Sequence, residues 1–350
     1  MKKFLALVLA LTMVFALCAC GQTEAPAAAE KPADAAAAAE PAAEVTSVVL
    51  KISMGETAKD TKGIVIDQLV KEVEEATNGA ITFEVYYSNE LGALADVTEQ
   101  TAMGANILAG TSGDFYASYG CPDITACALF YVFPDGESVE KFSESDLFTS
   151  WCDKIAESSG LRILCCNWAA APRSIISTKP INSVEDIKNL KIRVPGLAAD
   201  AFFSELGAAT MTMNFSDVYT GMQQGMVEAC EGPLSTLYDY SMHEVAKYIY
   251  LSEHSMAPCC WAMSDSIYQS LTPENQQILK DAFIKYGAVF TEMGMDGQTD
   301  ARAKLEAAGV TFVEPTEEDT AIMKAAGKAS FDAFPEMTAG IADEIAKAIS

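Results

Sequence analysis

Histidine is nearly absent from this chain, with two in 350 residues, His243 and His254. There is also no GxSxG elbow, no HExxH pair and no phosphate-cradling glycine loop, so the usual constellations for nucleophilic, zinc-dependent and phosphoryl-transfer chemistry are missing. Nothing singles out two of the 49 acidic residues as a glycosidase pair. The expectation is a protein that is no enzyme and needs no cofactor. Basic residues are short as well: 23 Lys and Arg face 49 Asp and Glu, and beyond residue 44 the balance is 20 against 44. Nucleic acid is excluded as a partner, because binding it requires a cationic footprint. The acidity suits a soluble exported chain and repels small anions at long range. Screening confines that repulsion to roughly 8 Å at physiological salt, so an anion could still be captured by a local basic pocket.

Metal-ligating patterns are lacking too. None of the ten cysteines has CxxC spacing, and with so little histidine a zinc site is not expected. Eight cysteines lie in the body of the chain, and the adjacent pairs Cys165-Cys166 and Cys259-Cys260 fall in apolar, strand-like runs. Buried free thiols are the expected state, with a disulfide between the two strands as the alternative in an exported protein.

The one long apolar run is at the amino terminus. Met1-Lys2-Lys3 followed by residues 4–17 has the charged head and hydrophobic middle of a secretory signal, and is short for a membrane span. Leu17-Cys18-Ala19-Cys20 looks like a bacterial lipobox, which makes Cys20 the expected lipidated residue and the cell membrane the expected extracytoplasmic anchor. Residues 21–44 are Ala, Pro and Glu with almost no large apolar side chain, and should form a disordered tether.

The remaining 306 or so residues can bury the cores of two lobes. Residues 48–53 read as a strand. Val65, Leu69 and Val73 at four-residue spacing mark a helix closed by Asn78-Gly79, and Ile81, Phe83 and Val85 alternate as a second strand. This is the opening of an α/β lobe. A helix is expected near residues 93–103. Residues 161–168 form a strand leading towards Arg173, residues 255–263 a returning strand, and the two crossovers make a hinge. Thr272 as cap, Pro273 and Glu274 start a helix with no proline before Ala308.

The most telling stretch is residues 173–233. Lys191-Ile192-Arg193-Val194-Pro195 places a permanent cation at the end of a short strand, where α/β proteins bind ligands. Arg173 lies twenty residues earlier, residues 182–188 read as a capped short helix, and Asn214-Phe215 and Glu228 through Pro233 follow. Their order and spacing resemble the solute-binding proteins of TRAP transporters, the dicarboxylate-binding type, with looser similarity from about residue 45 to 335.

The resemblance implies an α/β, two-lobed, periplasmic-binding-protein-like fold with hinge crossovers and a long helix spanning both lobes. Lobe I would hold residues 45–169 and 257–297, and lobe II residues 170–256 and 298–350. It implies capture of an organic acid and its delivery to TRAP permease membrane subunits, with Arg193 gripping the carboxylate, Arg173 assisting and Phe215 packing on the ligand. Gly232 departs from the family, many of whose members carry a ligand-binding asparagine there. Glu231 is expected to hold an arginine in place, with Glu228 beside it, and Trp168, Asp114, Phe115 and Tyr238 are candidates for lining the cleft. A ligand sensor serving a receptor, or an ATP-binding-cassette binding protein, would use the same cleft.

Overall fold

The computed structural model describes residues 47–350. The signal segment, Cys20 and the tether lie outside the described residues. Two sheets organise the chain. The first has the order β2-β1-β3-β10-β4, from β1 (Val48–Ser53), β2 (Ile81–Tyr86), β3 (Ile107–Ser112), β4 (Leu161–Ala169) and β10 (Pro258–Ser264). Its β1, β2 and β3 run parallel, and β10 is antiparallel to β3 and β4. The second has the order β11-β9-β5-β8-β6-β7. It is built from β5 (Arg173–Ser177), β6 (Lys191–Val194), β7 (Ala209–Thr212), β8 (Ala229–Pro233), β9 (Tyr248–Tyr250) and β11 (Thr311–Val313). The chain passes between the sheets after β4 and again between β9 and β10, where residues 251–257 have no regular structure. The fold is thus the expected α/β arrangement.

Each sheet carries a packed core on both faces, with the edge strand β7 largely exposed, and strand periodicity sorts the side chains. Leu50 and Ile52 of β1 pack with Val65, Leu69, Trp168, Trp261 and Phe283 on one face of the first sheet. On the other face Ile163 meets Tyr116, Trp151 and Ile345. In the second sheet Ile175 and Ile176 enter opposite cores, one around Phe202 and Phe203 and the other around Val218 and Leu237. The same alternation decides the cysteines. Cys166 and Cys260 share a face and are bridged, whereas Cys165 and Cys259 point to the other face and stay free and buried. The expectation of free thiols therefore fails for one member of each adjacent pair, because side chains of consecutive strand residues cannot share a partner across the ladder.

The helix Thr61–Ala76 buries Val65, Leu69 and Val73, and the chain leaves it through Asn78 and Gly79 at positive φ. The long helix Pro273–Ala307 starts as expected, with Thr272 Oγ1 accepting from the Asn275 amide at 3.2 Å. Phe283 packs with the first sheet's core and Leu305 with the second's, so one helix braces both. Gly287 lets it lie close to β4: a Cβ there would stand 2.5 Å from Asn167 Oδ1.

Two expectations are corrected. Residues 182–188 form a 3₁₀ turn over Val184–Ile187, and Ser183 does not cap it; the Val184 amide donates instead to Asp319 Oδ1 at 2.9 Å, from a helix 135 residues away. The carboxy-terminal tail, grouped with lobe II from sequence, packs on the first sheet's side. Met337, Ile341 and Ile345 join Tyr116 and Trp151, and Thr338 donates to Asp123.

Candidate ligand-binding cleft

A cleft of about 570 Å³ opens between the sheets. Its lining comes from the loop after β1, the end of β3, Trp168, the first crossover, Arg173, Arg193, Phe215, Pro233 and the long helix. A smaller hollow of about 230 Å³, beside Phe130, Lys324 and Phe331, contains neither arginine.

Sheet order places the charged cluster. Because β8 lies between β5 and β6, Glu231 falls between Arg173 and Arg193. Arg173 grips Glu231 with both edges of its fork, through Nε and through Nη2 at 2.7 Å from Oε1. Arg193 is only 5% exposed, donates from Nε to the Met213 carbonyl at 2.9 Å and keeps Nη1 3.9 Å from Glu231. Its guanidinium lies 5.1 Å from the Phe215 ring centre. Phe215 is the first residue of the helix Phe215–Gln223, and Tyr240 meets its ring edge-on at 4.9 Å.

Glu231 is completely buried. Burial alone would raise its carboxyl, but the Arg173 guanidinium and the His254 contact hold it far below the carboxylate range. Burial and the like charge of Arg173 act the other way on Arg193, whose pKa is lowered despite Glu231. Two guanidinium charges therefore face one carboxylate, and the uncompensated charge rests on Arg193.

His254 completes the cluster and was not among the site residues expected from sequence. Its Nε2 is 3.4 Å from Glu231 and its Nδ1 2.7 Å from Ser252 Oγ, in a pocket formed by Phe130, Phe202 and Phe203. Only its rarity singled it out in the sequence. Burial lowers its pKa and so favours the neutral ring in the folded protein. Below the ordinary histidine value of about 6.5 the unfolded chain takes up a proton that the folded one refuses, and stability falls with pH. Urea titrations at pH 7.0 and 5.5 should show this loss, with a slope of at most about 1.4 kcal/mol per pH unit. The His254→Gln variant should show a correspondingly shallower dependence.

The other expected residues divide. Trp168 lines the cleft as an apolar wall, its indole N–H donating to the Phe283 carbonyl at 2.8 Å. Gly232 is absent from the cleft lining; it pairs with Ser174, and a Cβ on it would meet Leu237 and Phe215 at ordinary contact distances. Asp114 is not in the cleft lining: it sits in the 3₁₀ turn Gly113–Tyr119 with Oδ1 buried and unpaired, and Thr111 and Ser112 line the cleft instead. Phe115, in the same turn, is also absent from the lining. Tyr238 stacks on His243, and Tyr240, two residues on, takes the place expected for it. Glu228 pairs with Lys179, outside the cluster. Among the described residues no group of three or more His, Cys, Asp and Glu could hold a metal ion, and no helix is long and apolar enough to cross a membrane.

Comparison with known proteins agrees with this architecture. The model of the bacterial extracellular solute-binding protein family 7 matches residues 52–337. The chain belongs to this family. It is similar to the sialic acid-binding periplasmic protein SiaP of Vibrio cholerae, 27% identical over 286 residues, which are 80% of this chain and 86% of that protein. Among solved structures, a Fusobacterium TRAP periplasmic solute-binding protein with bound sn-glycerol-3-phosphate superimposes with a TM-score of 0.78 at 25% identity, covering 86% of this chain and 96% of that one. A Pseudomonas putida F1 TRAP protein with bound D-glucuronate gives 0.75 at 26% identity, covering 85% and 97%. Family and fold together make the chain a TRAP-transporter solute-binding protein.

Proposed function

We propose that this protein captures an organic acid outside the cytoplasm, holds its carboxylate on Arg193, and delivers it to a TRAP-type permease. One observation carries the reading. Glu231 occupies the fork of Arg173 and leaves Arg193 buried, under-compensated and facing the cleft. A carboxylate is the group that such a guanidinium binds through two parallel, charge-assisted hydrogen bonds. Phe215 packs beside it, and closure of the two lobes about the crossovers would remove the ligand from water. Relatives named or crystallised with sialic acid and D-glucuronate support an acid ligand. Cys20 is proposed as the lipid anchor and residues 21–44 as the tether that leaves the cleft free to meet the permease.

A thermal-shift screen of the purified protein against organic acids and their primary amides tests the carboxylate reading. The best acid should raise the melting temperature and its amide should not. An amide that matches the acid would overturn the reading.

A further inference from the structure

Seven non-glycine residues among those described have φ in the left-handed region, and five of them are asparagine or serine. The other two are Tyr131, at φ 58°, and Glu253, at φ 41°. For side chains of this size the conformation is strained, and it persists only where the surroundings impose it. Here the two residues brace each other. The Tyr131 amide donates to the His254 carbonyl at 2.9 Å and its hydroxyl to the Ser252 carbonyl at 2.7 Å, so Tyr131 grips the backbone on either side of Glu253.

Tyr131 is itself fixed between the sheets. Leu129 and Phe133 belong to the first sheet's core, whereas Phe130 enters the second's, with its ring 4.7 Å from that of Phe202. Gly327, in the helix Glu317–Ala329, lets this strap lie close, since a Cβ there would stand 2.7 Å from the Phe130 carbonyl oxygen. Glu253 belongs to the second crossover, whose next residues pair with the first: the His254 amide donates to the Arg173 carbonyl at 3.2 Å and the Arg173 amide to the Ser255 carbonyl at 3.0 Å. The strained pair therefore lies where a rotation of one sheet against the other must be absorbed. The Glu253 side chain is exposed, so no packing demands a glutamate there. Tyr240, in the cleft lining, is 43% exposed, and the cleft stands open in this conformation.

We propose that Glu253 is the switching residue of the hinge, left-handed while the cleft is open and extended when it closes, with Tyr131 as the catch that holds the open form. The proposal rests on the reading that the lobes close on an acid. Release of strain at Glu253 favours closure, and the two Tyr131 hydrogen bonds oppose it. Neither residue lines the cleft, so both act on affinity through the population of the form that closes.

Backbone preference at residue 253 is the variable to change. Glycine and asparagine accept the left-handed region, valine resists it, and Glu253→Gln removes the charge while keeping a similar backbone preference. Spin labels introduced as an unnatural amino acid at the exposed Lys71 and Glu205, on helices of the two lobes, report the ratio of closed to open protein without ligand. That ratio should fall about threefold or more in Glu253→Gly and Glu253→Asn, and rise about threefold or more in Glu253→Val and Tyr131→Phe. Affinity for the acid with the largest thermal shift should follow the same order, with Glu253→Gln close to the wild type. A flat series, the reverse order, or a Glu253→Gln variant that moves as far as Glu253→Val overturns the proposal. If Tyr131→Phe does not fold, the series at the exposed residue 253 decides. Should Arg193→Ala bind the acid fully, or no acid bind at all, the carboxylate reading fails, whereas the label distances still judge the hinge.

Discussion

Arg193→Ala should weaken binding of the acid by at least about 100-fold. Two hydrogen bonds to a charged group contribute roughly 1.5–3 kcal/mol each, and every 1.4 kcal/mol is tenfold in affinity, so their loss removes about two to four decades. Arg193→Lys keeps the charge but not the planar fork and should fall between the two. The unliganded protein should behave differently. Because burial and Arg173 disfavour the charge on Arg193, replacing it with methionine, which refills the space, should leave the melting temperature unchanged or higher. Function and stability then move in opposite senses at one residue, as expected where a site stores an unpaired charge for its ligand. Calorimetry and thermal denaturation on the same preparations check both halves. Affinity within threefold of the wild type would remove Arg193 from the site.

Much of this arrangement was legible because it is local. Thr272-Pro273-Glu274 announces the long helix, Val65, Leu69 and Val73 mark the first one, and the strand that carries Arg193 is stopped by Pro195. Glu231 could be expected to hold an arginine because it flanks the site region in the sequence. Features that depend on pairing distant segments were not legible. The Val184 amide is satisfied by Asp319, the tail returns to Asp123, and His254 reaches Glu231 only because the chain turns back beside β5 after β9. The bridged cysteines needed the inward or outward parity of two strands, and extra residues in β4 between Trp168 and Ile163, opposite Cys259–Ala262 of β10, hide that parity from the sequence. Asp114 failed as a cleft residue because a short 3₁₀ turn redirects the chain within two residues of β3.

Glu231→Gln should be the most damaging conservative change in the protein. Glutamine keeps the shape, but the buried Arg193 guanidinium and the part-buried Arg173 guanidinium then face each other with no anion between them. Removing one partner of a buried ion pair costs about 3–5 kcal/mol. The sign with pH follows from the depressed carboxyl: Glu231 contributes stability above the ordinary carboxylate value near 4, and that contribution is lost as pH falls through its much lower folded value. The wild type should therefore hold its stability advantage over the variant from pH 8 to about pH 4, and the two should converge only in stronger acid. A charge deficit, as opposed to a packing defect, predicts rescue: acetate should raise the melting temperature of Glu231→Gln more than that of the wild type, since any anion that binds the folded state alone stabilises it. The variant's cleft gains one positive charge, so its preference should also move from monoanions towards dianions. Equal acetate responses in the two proteins would mean that Glu231 acts by shape, and the balance of charge around Arg193 would no longer explain why the cleft takes an acid.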